Sequence, residues 1–176
     1  RMRQVAKPDE QLLEKLNIDT RYVYVKSPAS RECSECFPET YVDEWGTRFR
    51  KSGYYYEPIE FPLQKANLAQ IRAYQVPDPH LPERFRGLEE EVLYLHEKTK
   101  YAIVAGFTRP LFEQAWFLRG FEQFLQDIVL DFEIAEALLE KVLEFNIQVS
   151  SHFLKLAGKY IDIALIVSDF GTQDGM

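Results

Sequence analysis

The apolar run IDIALIV at residues 161–167 ends abruptly in the polar segment SDFGTQDG, and this feature constrains the fold most strongly. A continuous run rich in Ile, Leu and Val and bounded by glycine is typical of a strand covered on both faces, as in parallel sheets between helices. In α/β proteins, side chains that follow the carboxyl ends of such strands form the site. The run therefore predicts a buried parallel strand with a polar site at its end.

Downstream of residue 82 the hydrophobic pattern alternates between helical and strand periods. Pro110 and Asp131 are suited to helix starts, and Gly158 to a helix end. The predicted elements are a helix at 83–98, a buried strand YAIVA at 101–105, helices at 110–119, from 121 and at 131–157, and the strand at 161–167. Such an order builds a parallel sheet.

Upstream, the pattern is less regular. Residues 8–16 and 67–74 predict short helices, and RYVYVK between residues 21 and 26 predicts an extended segment. Residues 41–61 alternate in strand fashion about Ser52 and Gly53, which predicts a β-hairpin that turns there.

A doubly wound sheet and a closed barrel both fit this order. Neither AGFTRP nor SDFGTQDG contains the glycine fingerprint of dinucleotide-binding folds, which weakens the doubly wound alternative. A (β/α)8 barrel fits better, but it needs roughly 250 residues. Because the chain has 176 residues, we expect residues 1–176 to be one partial domain of a larger barrel.

Charge and cysteine usage exclude several classes. A net charge of -7 argues against a nucleic-acid surface, and no apolar run is long enough to span a membrane, so a cytoplasmic protein is predicted. Cys33 and Cys36 supply only half of a typical zinc site, and His80, His96 and His152 are scattered. We therefore assign no metal to these residues.

Three segments carry a resemblance to a known family. They are TYVDEWGTRFRKSGYYYEPIEFPL at 40–63, YAIVAGFTRPLFEQAWFLRGFEQFLQDIVLD at 101–131, and VSDFGTQDG at 167–175. Together they resemble the uroporphyrinogen decarboxylase superfamily, in particular its bacterial branch of decarboxylase-like and corrinoid-dependent methyltransferase proteins. The resemblance implies an α/β fold: a partial (β/α)8 TIM barrel with an inserted β-hairpin, whose first strand and C-terminal half lie outside this sequence.

The resemblance also implies an enzyme, and the leading expectation is corrinoid-linked methyl transfer at the barrel mouth. One alternative is decarboxylation of uroporphyrinogen, in which arginines grip the substrate carboxylates and an aspartate binds the pyrrole N–H groups. Another is a non-catalytic partner-binding module that uses the aromatic segment SGYYYEP. We expect this chain to bind no cofactor itself, whereas the full-length protein would use zinc and a corrinoid.

The implied partners are the remainder of the barrel and a corrinoid protein or tetrapyrrole substrate. No nucleic acid or membrane partner is expected, and the oligomeric state stays open. By resemblance, Asp43 occupies the position of the decarboxylase aspartate, beside Glu44 and Trp45 as substrate-binding candidates. The alternative for Asp43 is a turn residue that accepts hydrogen bonds from its own backbone.

Two further candidates lie on the second segment. Arg109 stands between a strand end and a helix start, where a guanidinium and backbone N–H groups favour an anion. Trp116 falls where the decarboxylases carry an active-site tyrosine; it lacks the hydroxyl, and the alternative is a core aromatic on a helix.

The third segment places Asp169, Thr172 and Gln173 directly after the predicted strand at 161–167. Gly171 and Gly175 permit sharp turns there, and strand ends in barrels collect catalytic groups. The sequence therefore predicts Asp169 as a catalytic residue with Asp43, and Thr172 and Gln173 as substrate-binding residues. A turn-forming aspartate is the alternative.

In the full-length enzyme, we expect Asp169→Asn to lower kcat/KM at least about tenfold, equivalent to about 1.4 kcal/mol of transition-state stabilisation. The substitution keeps the shape of the side chain and removes its charge, so the midpoint of thermal unfolding should change little. Steady-state kinetics and a melting curve on the same preparation test this. Full activity with a sharply lowered midpoint would identify Asp169 as a turn residue.

Overall fold

A computed structural model describes residues 8–28, 31–32, 39–107 and 109–168, with only the backbone described at 31–32. In chain order the elements are α1 (Glu10–Lys15), β1 (Thr20–Tyr24), β2 (Arg31–Glu32), β3 (Thr40–Val42), β4 (Arg48–Ser52), β5 (Tyr55–Glu60), α2 (Leu68–Ala73), α3 (Leu88–Lys98), β6 (Ala102–Gly106), α4 (Leu111–Arg119), α5 (Phe121–Leu130), α6 (Phe132–Ala157) and β7 (Ile163–Ala164). Short 3-10 turns at Pro82–Arg84 and Gly158–Tyr160 precede α3 and follow α6.

Strands β1, β6 and β7 form a parallel sheet in that order. Val23 of β1 lies opposite Ala105 of β6, and both are fully buried against the helices together with Ile103. The other face carries Tyr22 and Tyr24, whose rings stack with centroids 5.9 Å apart and which are both exposed. In the described part of the chain, helices cover one face of the sheet, whereas the other face leaves the two outer-strand tyrosines exposed and only Val104 of the central strand buried.

The last residue of β6, Gly106, has to be a glycine because the ring of Tyr24 lies directly against it. Tyr24 lies beside it in the parallel register, and a Cβ atom at position 106 would come within 2.7 Å of Cδ1 of the Tyr24 ring. Any larger residue would displace the ring.

Strands β2 to β5 form a separate antiparallel sheet in sequential order. The turn between β3 and β4 is tight: the Asp43 N–H donates to the Thr47 carbonyl at 3.0 Å, and Gly46 takes a φ of +78°. Only glycine adopts that conformation without strain. The sheet packs on α4 through Phe49, whose ring meets that of Phe117 edge-on at 5.5 Å.

The core is organised around α6, which at 26 residues is the longest described element. Its buried residues recur every three or four positions, as an amphipathic helix requires, and include Leu138, Val142, Phe145, Val149 and Phe153. None of the described helices combines the length and apolar character needed to cross a bilayer.

Several predicted elements are confirmed. The fold is mixed α/β, the hairpin turns immediately after Ser52, and the predicted strand at 101–105 is Ala102–Gly106. Helix α2 begins at an Asn67 capping box, in which the Asn67 and Gln70 side chains each accept from the other's backbone N–H. The segment RYVYVK, predicted only as extended, contributes β1 to the parallel sheet.

Other predictions are wrong. The run at 161–167 forms the predicted parallel strand only at Ile163–Ala164, where the Asp162 and Leu165 N–H groups donate to the Ile103 and Ala105 carbonyls of β6. The predicted burial is wrong: Ile166 is 74% exposed, because β7 is an edge strand in the described structure. The helix predicted from 83 begins at Leu88, since Gly87 is left-handed at φ +74°. Helix α6 ends at Ala157 as predicted, but Gly158 keeps right-handed helical angles and opens a 3-10 turn.

Asp131 precedes α6 as predicted, but its side chain makes no capping hydrogen bond. The described residues do not close into a barrel, because their parallel sheet has three strands.

A buried ion pair joins α4 to α5. The Arg119 Nε donates to Asp127 Oδ2 at 2.6 Å, and its Nη1 donates to the carbonyls of Leu63 and Ala66, both at 2.7 Å. Both side chains are almost fully buried. The pair therefore fixes the segment after β5 against the helical layer.

We expect Asp127→Ala to destabilise the fold by about 3–5 kcal/mol, because it leaves the Arg119 guanidinium buried without a counter-charge. Glu133→Ala is the matched control: it removes one partner of the exposed Arg72–Glu133 pair, which should cost less than about 1 kcal/mol. Chemical denaturation of both variants provides the comparison. Equal losses would show that the buried pair has no special role.

Candidate functional site

Polar side chains gather where β6 and β7 end. Arg109 lies three residues beyond β6, and Ser168 lies four residues beyond β7. The Ser168 hydroxyl donates to Glu113 Oε2 in the first turn of α4 at 3.0 Å, so the two strand ends meet at the start of this helix. This is the edge at which α/β proteins bind their ligands.

Glu44, in the β3–β4 turn, accepts from two guanidinium groups at this edge. Arg84 donates to both carboxylate oxygens, and Arg109 Nη2 donates to Oε1 at 2.5 Å. The side chain of Arg84 is 2% exposed and that of Glu44 is 12% exposed. Both Glu44 oxygens therefore accept hydrogen bonds from arginines, and Glu44 holds the two guanidinium groups in position.

Arg109 is fixed along its whole length. Its backbone N–H donates to Asn146 Oδ1 at 3.0 Å, and Asn146 Nδ2 donates to its carbonyl at 2.9 Å. Its Nη1 donates to Gln114 Oε1 at 3.1 Å. Helices α4 and α6 thus hold the residue from two sides.

Asp43 shapes the turn and keeps one oxygen without a partner. Its Oδ1 accepts from the backbone N–H groups of Trp45 and Thr47, both at 3.0 Å. Its Oδ2 is buried and has no hydrogen-bond partner among the described residues. Burial raises the pKa of the Asp43 carboxyl, against the opposing effects of these N–H donors and of Arg109.

Trp45 is fully buried beside this cluster. Its ring meets Phe145 edge-on at 4.9 Å, and the Arg109 guanidinium carbon lies 5.9 Å from its centre. The Trp45 Nε1–H finds no acceptor in the described part of the chain. Tyr74 donates its hydroxyl to the Trp45 carbonyl at 2.5 Å, and burial raises the pKa of Tyr74 to about 12.

Four of the predicted site residues therefore meet: Asp43, Glu44, Trp45 and Arg109. Trp116 is separate from them; two positions after Gln114 it faces roughly the opposite side of α4, and its ring packs on Phe117 and Phe121. The remaining candidates, Asp169, Thr172 and Gln173, lie outside the described residues, as do Cys33 and Cys36.

Sequence reasoning missed Arg84, Gln114 and Asn146. Arg84 is 40 positions from Glu44, and no local pattern links them. Gln114 carried a usable signal, because it lies four positions before the buried Leu118 and so on the same face of α4. A polar residue on a buried helix face needs partners.

The described residues contain no group of three or more His, Cys, Asp or Glu side chains able to hold a metal ion.

At the tip of the hairpin, Tyr54 and Tyr55 are exposed, whereas Tyr56 packs edge-on against Tyr41 at 5.1 Å.

No family model matches the chain, and no curated protein and no solved structure matches it.

Asp43→Asn tests the buried carboxyl. The amide keeps an oxygen for the two N–H donors and removes the charge. Since burial raises the pKa of Asp43 above its ordinary value of 3.8, the folded state holds the proton more tightly than the unfolded state does. Wild-type stability relative to the variant should therefore fall as the pH rises from that ordinary value through the raised pKa, and then level off.

Thermal unfolding of both proteins across a pH series measures this difference. Asp78→Asn is the control, because Asp78 accepts from the His80 N–H in the same way at an exposed position. A difference between wild type and Asp43→Asn that rises with pH would mean that Arg109 stabilises the carboxylate more than burial disfavours it.

Proposed function

We propose that this chain forms part of a uroporphyrinogen decarboxylase superfamily enzyme that transfers a methyl group between a corrinoid and an acceptor. The observation that carries the proposal is the meeting of Asp43, Glu44, Trp45 and Arg109 at the carboxyl edge of a parallel sheet. Residues from two of the segments that bear the family resemblance are thus assembled into one cluster.

A partial (β/α)8 barrel is the architecture we propose. Consecutive parallel strands lie side by side in the order β1-β6-β7, as in a singly wound barrel. All-parallel sheets are covered on both faces, yet Tyr22, Tyr24 and Ile163 are exposed on one face here. Further strands that close the sheet into a barrel would bury that face.

The charge of the cluster favours methyl transfer over decarboxylation. A porphyrinogen decarboxylase has to bind several substrate carboxylates, which requires several available cations. Here Arg84 and Arg109 share the carboxylate of Glu44. The described part of the site therefore has too little free positive charge for a polycarboxylate.

A corrinoid would supply an electrophilic methyl group, and this chain would hold the acceptor. The described residues do not fit zinc, because they contain no group of ligands able to hold it. The role that follows for this chain is to bind and orient the acceptor through the Arg109 cluster.

One observation favours decarboxylation as a second candidate. The Asp43 Oδ2 is buried without a partner among the described residues, which suits an acceptor for pyrrole N–H groups. The exposed Tyr54 and Tyr55 favour the third candidate, a partner-binding module. Both remain outcomes of the experiment below.

We expect the full-length protein to remove the methyl group from free methylcobalamin in the presence of a thiol, at least about tenfold faster than the protein-free reaction. The absorbance of the cobalamin, followed without oxygen, measures the reaction. Arg72→Gln, a change at an exposed arginine on α2, should leave the rate unchanged.

A parallel incubation with uroporphyrinogen should release no carbon dioxide. Carbon dioxide release without demethylation would establish decarboxylation instead. The absence of both activities in folded protein would contradict an enzyme of either kind and leave the binding module.

A further inference from the structure

The edge of β1 that faces away from β6 carries free backbone groups. The Asp19 carbonyl accepts a hydrogen bond from the first residue of β6, and the Val25 N–H donates to the last. Because bonded residues alternate along each strand of a parallel pair, the odd-numbered residues of β1 are the ones that bond to β6. The N–H and C=O groups of Tyr22 and Tyr24 therefore point to the opposite edge, where no described strand pairs with them.

A cleft of about 760 Å³ lies beside this free edge. Thr20, Tyr22 and Tyr24 line it, and these are the β1 residues whose backbone groups face away from β6. Helices α1 and α3 contribute its other walls, among them the apolar side chains of Leu13 and Leu95. The space therefore reaches the free edge, and exposed edges of this kind pair with extended segments.

The charge of the cleft is negative. Asp9, Glu10 and Glu91 line it together with one cation, Arg21. Glu10 pairs with that cation, since the Arg21 Nε donates to both of its carboxylate oxygens at 2.9 and 3.0 Å. Neither Asp9 nor Glu91 forms an ion pair within the described part of the chain. The cleft is therefore suited to a segment with positively charged side chains.

The segment that directly precedes the cleft in the sequence has the complementary charge. Residues 1–7, RMRQVAK, lie outside the described residues and contain three cations, Arg1, Arg3 and Lys7, and no acidic residue. They end at Pro8, which itself lines the cleft. A residue that precedes proline favours an extended backbone. Seven extended residues span about 23 Å, and a strand as long as β1 spans about 17 Å, so the segment is long enough to follow the whole edge.

We propose that residues 1–7 pair with the free edge of β1 as an additional strand of the sheet. The main chain of the segment bonds the N–H and C=O groups of Tyr22 and Tyr24, and its cations lie beside Asp9 and Glu91. Positively charged residues are common on edge strands, where they prevent pairing with other chains. This inference goes beyond the proposed function, because it concerns how the edge of the sheet is covered and requires no methyl transfer.

Hydrogen exchange of the β1 amides in the full-length protein, resolved to single residues, tests the proposal. The Arg21 and Val23 amides are internal controls, because they bond to β6 and should exchange slowly whether or not the edge is covered. We expect the Tyr22 and Tyr24 amides to exchange slowly as well. Exchange of these two amides at the rate of an unstructured peptide would overturn the proposal.

A double variant, Arg3→Glu with Lys7→Glu, tests which segment covers the edge. It brings negative charges to a cleft that is already negative, so the protection of the two tyrosine amides should fall at least about fivefold. The control is Lys65→Glu with Lys155→Glu, which reverses two exposed charges elsewhere and should leave that protection unchanged.

Protection of the tyrosine amides that the double variant leaves unchanged would overturn the assignment, because a different strand would then cover the edge. The outcome is separate from that of the proposed function. Wild-type protein without demethylation activity would refute methyl transfer, whereas protection that depends on Arg3 and Lys7 would still establish the added strand. Demethylation with freely exchanging tyrosine amides would do the reverse.

Discussion

The structure depends above all on the carboxylate of Glu44, which forms ion pairs with two guanidinium groups from distant parts of the chain. It joins the β3–β4 turn, the 3-10 turn before α3 and the loop after β6. A buried charge is tolerated only with a partner, and removal of one partner of such a pair costs about 3–5 kcal/mol. The antiparallel sheet therefore cannot move away from the parallel sheet without exposing or isolating these charges.

Apolar packing reinforces the same junction. Trp45 follows Glu44 directly and inserts its ring against Phe145 of α6, while the Arg84 guanidinium lies 5.1 Å from the centre of that Phe145 ring. The Thr47 hydroxyl donates to the Phe117 carbonyl of α4 at 2.8 Å. One short turn thus contacts both α4 and α6, which explains how the antiparallel sheet is held in a fixed position against the helices.

Local elements could be predicted from the sequence because their causes are local. The Asn67 cap, the turn after Ser52 and the spacing of apolar residues along α6 lie within a few positions of the elements they determine. The pairing of Glu44 with Arg84 and Arg109 spans 40 and 65 positions, so only the folded chain brings it about. The burial predicted for the run at 161–167 is wrong for a related reason. The apolar composition of a strand indicates that it can be buried, but its actual burial depends on which other elements of the folded chain pack against it.

Position 109 requires an arginine because its side chain makes several directed contacts at once. One side chain has to form an ion pair with Glu44 in the β3–β4 turn and donate a hydrogen bond to Gln114 of α4. A planar guanidinium has donors on three nitrogens in fixed directions, whereas a lysine ammonium concentrates its charge at one point and hydrogen-bonds without a fixed plane. The contacts with Glu44 and Gln114 hold that plane, and the Trp45 ring lies 5.9 Å from the guanidinium carbon. The contacts of Glu44 and Arg109 that join the β3–β4 turn to α4 and to the loop after β6 are therefore also the contacts that hold the candidate site together.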